Sequence, residues 1–164
     1  MSMSENVLTT ESLQRDPDAE GYVDRKRHLW VLSVLWPATP LIGLYLVSQT
    51  GWSIWYGLVL ILWYGAVPLI DAMFGEDFSN PPESAVPRLE QDRYYRVLTY
   101  LTVPIHYAAL IVSAWWVSTQ PMNVFEFLAL ALSLGIVNGL ALNTGHELGH
   151  KKETFDRWMA KLVL

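Results

Sequence analysis

The chain has 164 residues, of which 52% are apolar and only 16% charged, with eight Trp, no Cys and a formal net charge of −5. Those figures exclude a disordered chain, a collagen-like repeat and a basic surface for phosphate backbones, and the missing Cys excludes disulfides, thiolate zinc sites and iron–sulfur clusters held by this chain. With a mean hydropathy of +0.22, either a soluble globule with a rich core or a membrane protein remains, and the placement of charge decides between them.

The first 20 or so residues are polar and acidic without an apolar run, and residues 1–24 read as a flexible polar tail. Arg25-Lys26-Arg27 follows, directly before a long apolar stretch. From Leu29 to Ile70 there is no charge, and from Val97 to Leu142 there is only Glu126. Each stretch is too long for one crossing, since about 20 apolar residues span a bilayer. Each is also broken near its middle, at Ser48-Gln49-Thr50-Gly51 and at Ser118-Thr119-Gln120-Pro121. The reading is therefore an all-α integral membrane protein with four spans near Leu29–Val47, Trp52–Phe74, Val97–Val117 and Val124–Thr144, residues 25–164 forming part of one transmembrane domain.

Four spans put the N-terminal tail, the Gly75–Arg96 loop and the segment after His146 on one side, and the two short turns on the other. All 11 Lys and Arg then fall on the first side. The positive-inside rule makes that side cytoplasmic, with the N-terminus there. Because the first apolar stretch is of spanning length and leads into another, it reads as a retained anchor rather than a cleaved signal. Trp30, Trp52, Trp55, Trp115 and Trp116 suit the water interfaces, whereas Trp63 and Tyr64 fall mid-span. Pro37, Pro40, Pro68 and Pro104 predict kinks.

The chemistry-bearing segment closes the fourth span: Asn143-Thr144-Gly145-His146-Glu147-Leu148-Gly149-His150-Lys151-Lys152. His146 and His150 are four apart, so on a helix they share one face and can reach one metal ion. Gly139 and Asn143 lie on the same stripe. The plain alternative is two histidines interacting with the negative end of a helix, but ionisable groups near membrane depth are costly and usually functional. Spacing alone leaves the chemistry open. The sequence His146-Glu147-Leu148-Gly149-His150 also matches the zinc-protease pattern, with Glu147 as general base and Asp71 or His106 as the needed third ligand. All-nitrogen ligation equally suits non-haem iron. His106, within the third span, reads as a buried imidazole bonded to a neighbouring helix, and His28 as an interfacial residue.

Asp71-Ala72-Met73-Phe74-Gly75-Glu76-Asp77, Asn80-Pro81-Pro82-Glu83, Arg93-Tyr94-Tyr95-Arg96-Val97-Leu98-Thr99-Tyr100 and the segment Leu142–Lys152 together closely resemble the bacterial membrane alkane 1-monooxygenases, from about Tyr22 to Leu164. The resemblance implies a non-haem di-iron enzyme of the inner membrane, built from six transmembrane helices. Such enzymes use O₂ to convert a medium-chain n-alkane to the primary alcohol, with electrons from rubredoxin, itself reduced by an NADH-dependent reductase. It implies iron ligation by His146 and His150, the family's first histidine box, and gives Glu147 no role. The family's later boxes, Glu-His-x-x-Gly-His-His and Leu-Gln-Arg-His-Ser-x-His-His, do not occur in this sequence. The chain therefore reads as an N-terminal part of such an enzyme, inactive alone, because its four His cannot supply the roughly eight or nine nitrogens of the family's centre. The alternative function is an intramembrane zinc metalloprotease.

An alkane offers no hydrogen bonds, so only an apolar channel of defined shape can hold it and present its terminal methyl. Mid-span Trp63 is the expected wall residue of that channel. The acidic, Pro-stiffened loop after Asp71 is either a solvated surface run or a positioning element at the cytoplasmic mouth.

Overall fold

A computed structural model describes residues 22–75 and 81–164; the expected tail over residues 1–21 and Glu76 to Asn80 of the acidic loop lie outside them. The architecture is all-helical, with no strand among the described residues, and four helices are long and apolar enough to cross a membrane. We label these α1 (Arg27–Thr50), α2 (Ser53–Phe74), α4 (Arg93–Thr119) and α5 (Val124–His150). The short α3 (Val86–Gln91) lies in the α2–α4 connection, and α6 (Thr154–Val163) follows α5. The protein is thus a multi-pass, all-α membrane protein.

Three span boundaries lie three or more residues from those expected from hydropathy. α4 begins at Arg93 because the Asp92 side chain caps it, accepting from the Tyr94 amide at 2.9 Å. α1 runs to Thr50, where Gly51 ends it in the left-handed conformation (φ 69°) that a side chain would disfavour. α5 continues from Thr144 through His150, so the histidine segment is helical throughout. α5 starts with a full capping box: Asn123 Oδ1 accepts from the Phe125 and Glu126 amides, and Glu126 accepts from the Asn123 amide at 2.8 Å. Ser53 at the start of α2 also donates to Glu126. The one charge inside the apolar stretches is therefore a helix cap.

α2 is the irregular span. It opens with a 3₁₀ turn, Ser53–Gly57, and widens to a π-helix over Leu62–Ala66. Pro68 has no N–H to offer the carbonyl of Tyr64, and a π-turn is one way a helix absorbs that loss. Irregular backbone at membrane depth needs partners from neighbouring helices. Ser133 of α5, fully buried, supplies one by donating to the Tyr56 carbonyl at 3.0 Å, and Trp116 of α4 donates from Nε1 to the Tyr56 hydroxyl at 3.0 Å. α1 and α2 cross where Gly43 leaves room: a Cβ there would stand 2.5 Å from the Trp55 carbonyl oxygen.

Candidate metal centre

The last two turns of α5 bring His146 and His150 together. Their Nε2 atoms are 3.1 Å apart, with ring centroids at 4.5 Å and planes at 82°. Both rings are exposed, as are Gly139, Asn143 and Glu147. The opposite side of the same turns is buried: Gly145 and Leu148 pack towards α6. A Cβ on Gly145 would come within 3.1 Å of Leu164 and Val163, so the bare Gly145 lets the end of α6 lie against α5.

As donors the pair fits a metal. Two nitrogens 3.1 Å apart, each about 2.1 Å from one ion, would subtend roughly a right angle at it. Both rings bind a metal through Nε2 when each is neutral and carries its N–H on Nδ1, which leaves both Nε2 lone pairs free. The set is incomplete: no group of three or more His, Cys, Asp or Glu stands ready to hold a metal among the described residues. Neither residue expected to supply a third ligand joins the pair. Asp71 is exposed in the last turn of α2, and His106 is half-buried in α4, where Asn138 of α5 hydrogen-bonds its ring. His28 lies exposed in the 3₁₀ turn that opens α1.

His106 also separates two cavities. One, of about 380 Å³, runs from Tyr95 past Thr102 and Leu140 to Thr144, two residues before His146, with Trp36 in its wall. The other, of about 450 Å³, is bounded by Val103, Leu110, Asn138 and Leu142. Trp63 sits on the π-turn, 39% exposed, with its ring centroid 4.8 Å from that of Trp36.

Sequence reading did not anticipate a polar cluster beside the pair. Arg96, in the first turn of α4, bonds both carboxylate oxygens of Glu153 (Nη1 to Oε1 at 2.9 Å) and lies 3.6 Å from the carboxylate of Asp156. Tyr100, one turn further, donates to Asp156, which is 5% exposed. The Arg96 hydrogen bonds hold the Glu153 carboxyl below its ordinary range. Lys151 Nζ pairs with Glu90 of α3 at 2.7 Å. The available signal was the pairing of Arg96 and Tyr100 at helical spacing with Glu153 and Asp156 at the head of an amphipathic segment.

Known proteins of similar sequence agree on one identity. Alkane 1-monooxygenase 1 of Alcanivorax borkumensis is 88% identical over 162 residues, which is 99% of this chain and 40% of that protein. The alkane 1-monooxygenase of Ectopseudomonas oleovorans is 77% identical over 146 residues, 89% of this chain and 36% of that protein. That of Acinetobacter baylyi is 34% identical over 149 residues, again 36% of its length. No protein-family model matches the chain. By its sequence the chain belongs to the alkane 1-monooxygenases, and it spans about two-fifths of the length of the curated relatives it matches.

Proposed function

We propose that this chain contributes to terminal hydroxylation of medium-chain n-alkanes to primary alcohols, with O₂ as co-substrate and rubredoxin as electron donor. The observation that carries this reading is the convergence of two imidazole nitrogens at 3.1 Å in the segment shared with proteins named alkane 1-monooxygenase. His146 and His150 are then two ligands of a non-haem di-iron centre. The remaining ligands come from histidine boxes that this sequence does not contain, and the chain by itself is inactive. We place the centre on the cytoplasmic side of the inner membrane, where the tail before residue 25 and the basic residues also lie. When bound, the iron supplies O₂ activation.

The rest of the work falls to the chain's own groups. α5 holds the two Nε2 atoms at a fixed spacing, and with each neutral ring carrying its N–H on Nδ1 both lone pairs are available to one ion. The alkane has no polar handle, so walls such as Trp36 and Leu140 hold it by shape and exclude water. Trp63 acts on that wall through its packing against Trp36. Trp63→Ser frees the Trp36 ring and lengthens the cavity, so the expected outcome is a shift of the accepted alkanes to longer chains. Gas chromatography of the alcohols formed from a mixed alkane series reads this, and an unchanged profile removes Trp63 from the wall.

The central test is made on the protein carrying all its histidine boxes, with iron and product alcohol measured together. His146→Ala and His150→Ala should each lower both by more than the roughly 10–100-fold that follows loss of a ligand's hydrogen-bond partner. Iron content at the wild-type level in either variant refutes the ligand assignment. Zinc in place of iron, with no alcohol formed, refutes the hydroxylase reading.

A further inference from the structure

His150 is the last residue of α5, with Lys151 following in an extended conformation. The last turn of a helix is where its carbonyls lack intrahelical partners and where fraying sets in. A ligand there holds its geometry only if something beyond the helix fixes the turn. In this structure three contacts do so from outside α5. Arg96 grips Glu153 through both carboxylate oxygens, three residues after His150. Tyr100 donates to the buried Asp156. Lys151 is tied to Glu90. Below them, Leu148, Met159, Ala160 and Val103 form one buried cluster, joined by Tyr100 and Val163. At the far end of α6 the Tyr107 hydroxyl donates to the Leu162 carbonyl. So α6 is fastened to α4 at both ends, and it folds back along α5 with Ala160 beside Gly149 and Leu164 beside Gly145.

We propose that Arg96 and Tyr100 are positioning residues for the His146/His150 pair: through Glu153 and Asp156 they latch α6 onto α4 and thereby hold the last turn of α5 in register. The inference rests on the reading of the two histidines as metal ligands, but the latch has a signature that needs no metal. With Glu153 and Asp156 held, the amides of residues 147–151, which donate to backbone carbonyls of α5, are protected from exchange. With the latch open they exchange as a frayed helix end does.

The experiment uses the protein carrying all its histidine boxes, in lipid nanodiscs, wild type against Arg96→Gln and the milder Tyr100→Phe, with Arg27→Gln as control. Arg27 bonds Asp92 at the same end of the bundle but does not join the latch. Amide exchange over residues 147–151 and uptake of cobalt(II), followed by its visible absorption, are read on each. Arg96→Gln should speed exchange over 147–151 at least tenfold and weaken cobalt(II) binding about tenfold, the scale seen when the support of a ligand is removed. Tyr100→Phe should move both in the same direction by less, and Arg27→Gln neither. A second reporter is a disulfide between Gly149→Cys and Ala160→Cys. The Ala160 Cβ lies 3.9 Å from where a Gly149 Cβ would stand, within disulfide range, and this chain has no other Cys. Cross-linking should fall when Arg96→Gln is added.

Unchanged exchange and cross-linking in Arg96→Gln overturn the latch. Faster exchange with cobalt(II) affinity held overturns the positioning role. If the wild type takes up no cobalt(II), the ligand reading is what fails, and exchange and cross-linking then decide the latch alone.

Discussion

At the end of the bundle formed by the two short turns, all four spans meet: Leu44 of α1, Tyr56 of α2 and Leu130 of α5 form a buried cluster against which Trp116 of α4 packs. At the basic end the second half of α2 leaves the bundle, and no residue from Val67 to Phe74 is buried. That end is held by a separate buried cluster of Val103, Leu148, Met159 and Ala160 and, around it, by polar bonds, among them Arg27–Asp92 at 2.9 Å, Tyr95–Asp24 at 2.6 Å and the Arg96–Glu153 pair. The histidine pair sits there, on an exposed helix face. Apolar packing is non-directional and fixes how the spans cross. The directed bonds fix the ends of helices one by one and leave open the face that carries the site. One end sets the register and the other carries the chemistry.

The largest effect expected from breaking the packed end comes at Gly43. A Cβ there would lie 2.5 Å from the Trp55 backbone carbonyl, and a carbonyl oxygen cannot turn aside as a side chain can. Gly43→Ala should cost about 1–3 kcal/mol, the range for forced overpacking, as a lower midpoint of thermal unfolding in detergent. Gly135→Ala is the matched control, because nothing lies within 4 Å of the added methyl. Equal behaviour of the two variants would mean that the α1–α2 crossing does not set the register.

A smaller loss is expected at Ser133, in the same region. Its hydroxyl is fully buried and satisfies the Tyr56 carbonyl in the 3₁₀ entry of α2. Interhelical hydrogen bonds in membrane proteins average about 0.6 kcal/mol and reach about 1.7 kcal/mol, so Ser133→Ala should fall in that interval. A neutral result would show that the Tyr56 carbonyl finds another partner, and that packing alone holds this end.

The same contrast explains what the sequence made legible. Hydropathy located all four spans, because burial in lipid demands apolar residues over a known length. It set α4 four residues late and ended α5 six residues early, because Arg93–Arg96 and Gly145–His150 are helical without being apolar. Helix ends there follow caps and tertiary bonds, not transfer energy. The histidine pair was legible because its spacing of four is a local helical property. α6 was missed: its apolar residues alternate with charges, which hides it from a hydropathy reading. The Arg96–Glu153 contact joins residues 57 apart, so the helical spacing of Arg96 and Tyr100 marks one half of it and that of Glu153 and Asp156 the other, with nothing local to pair them. Trp63 was placed mid-span correctly, yet its packing on Trp36 depends on the π-turn that Pro68 brings about.

The mildest probe of the comparison is acid. Glu153 is held below its ordinary range chiefly by the Arg96 hydrogen bonds. Asp24 is held below its range chiefly by the Tyr95 hydroxyl, which with the Lys26 amide and the Trp30 indole outweighs burial. A depressed carboxylate adds stability that is fully present above its unfolded value, near pH 4, and is lost as pH falls through the lower folded value. Acidification should therefore loosen the basic end, while the cluster around Leu130, whose own residues carry no carboxylate, keeps its packing even as the Glu126 cap at the start of α5 takes up a proton. In exchange measurements from about pH 5 downwards, corrected for the intrinsic rate, the amides of Lys151 and Arg157, bonded to the Leu148 and Glu153 carbonyls, should lose protection as Glu153 protonates. Arg96→Gln removes the main cause of the Glu153 shift, so in that variant the same residues should be poorly protected at every pH, with little left for acid to remove. If wild type and variant lose protection in parallel, the acid response comes from elsewhere, and the Arg96–Glu153 pair does not hold this end.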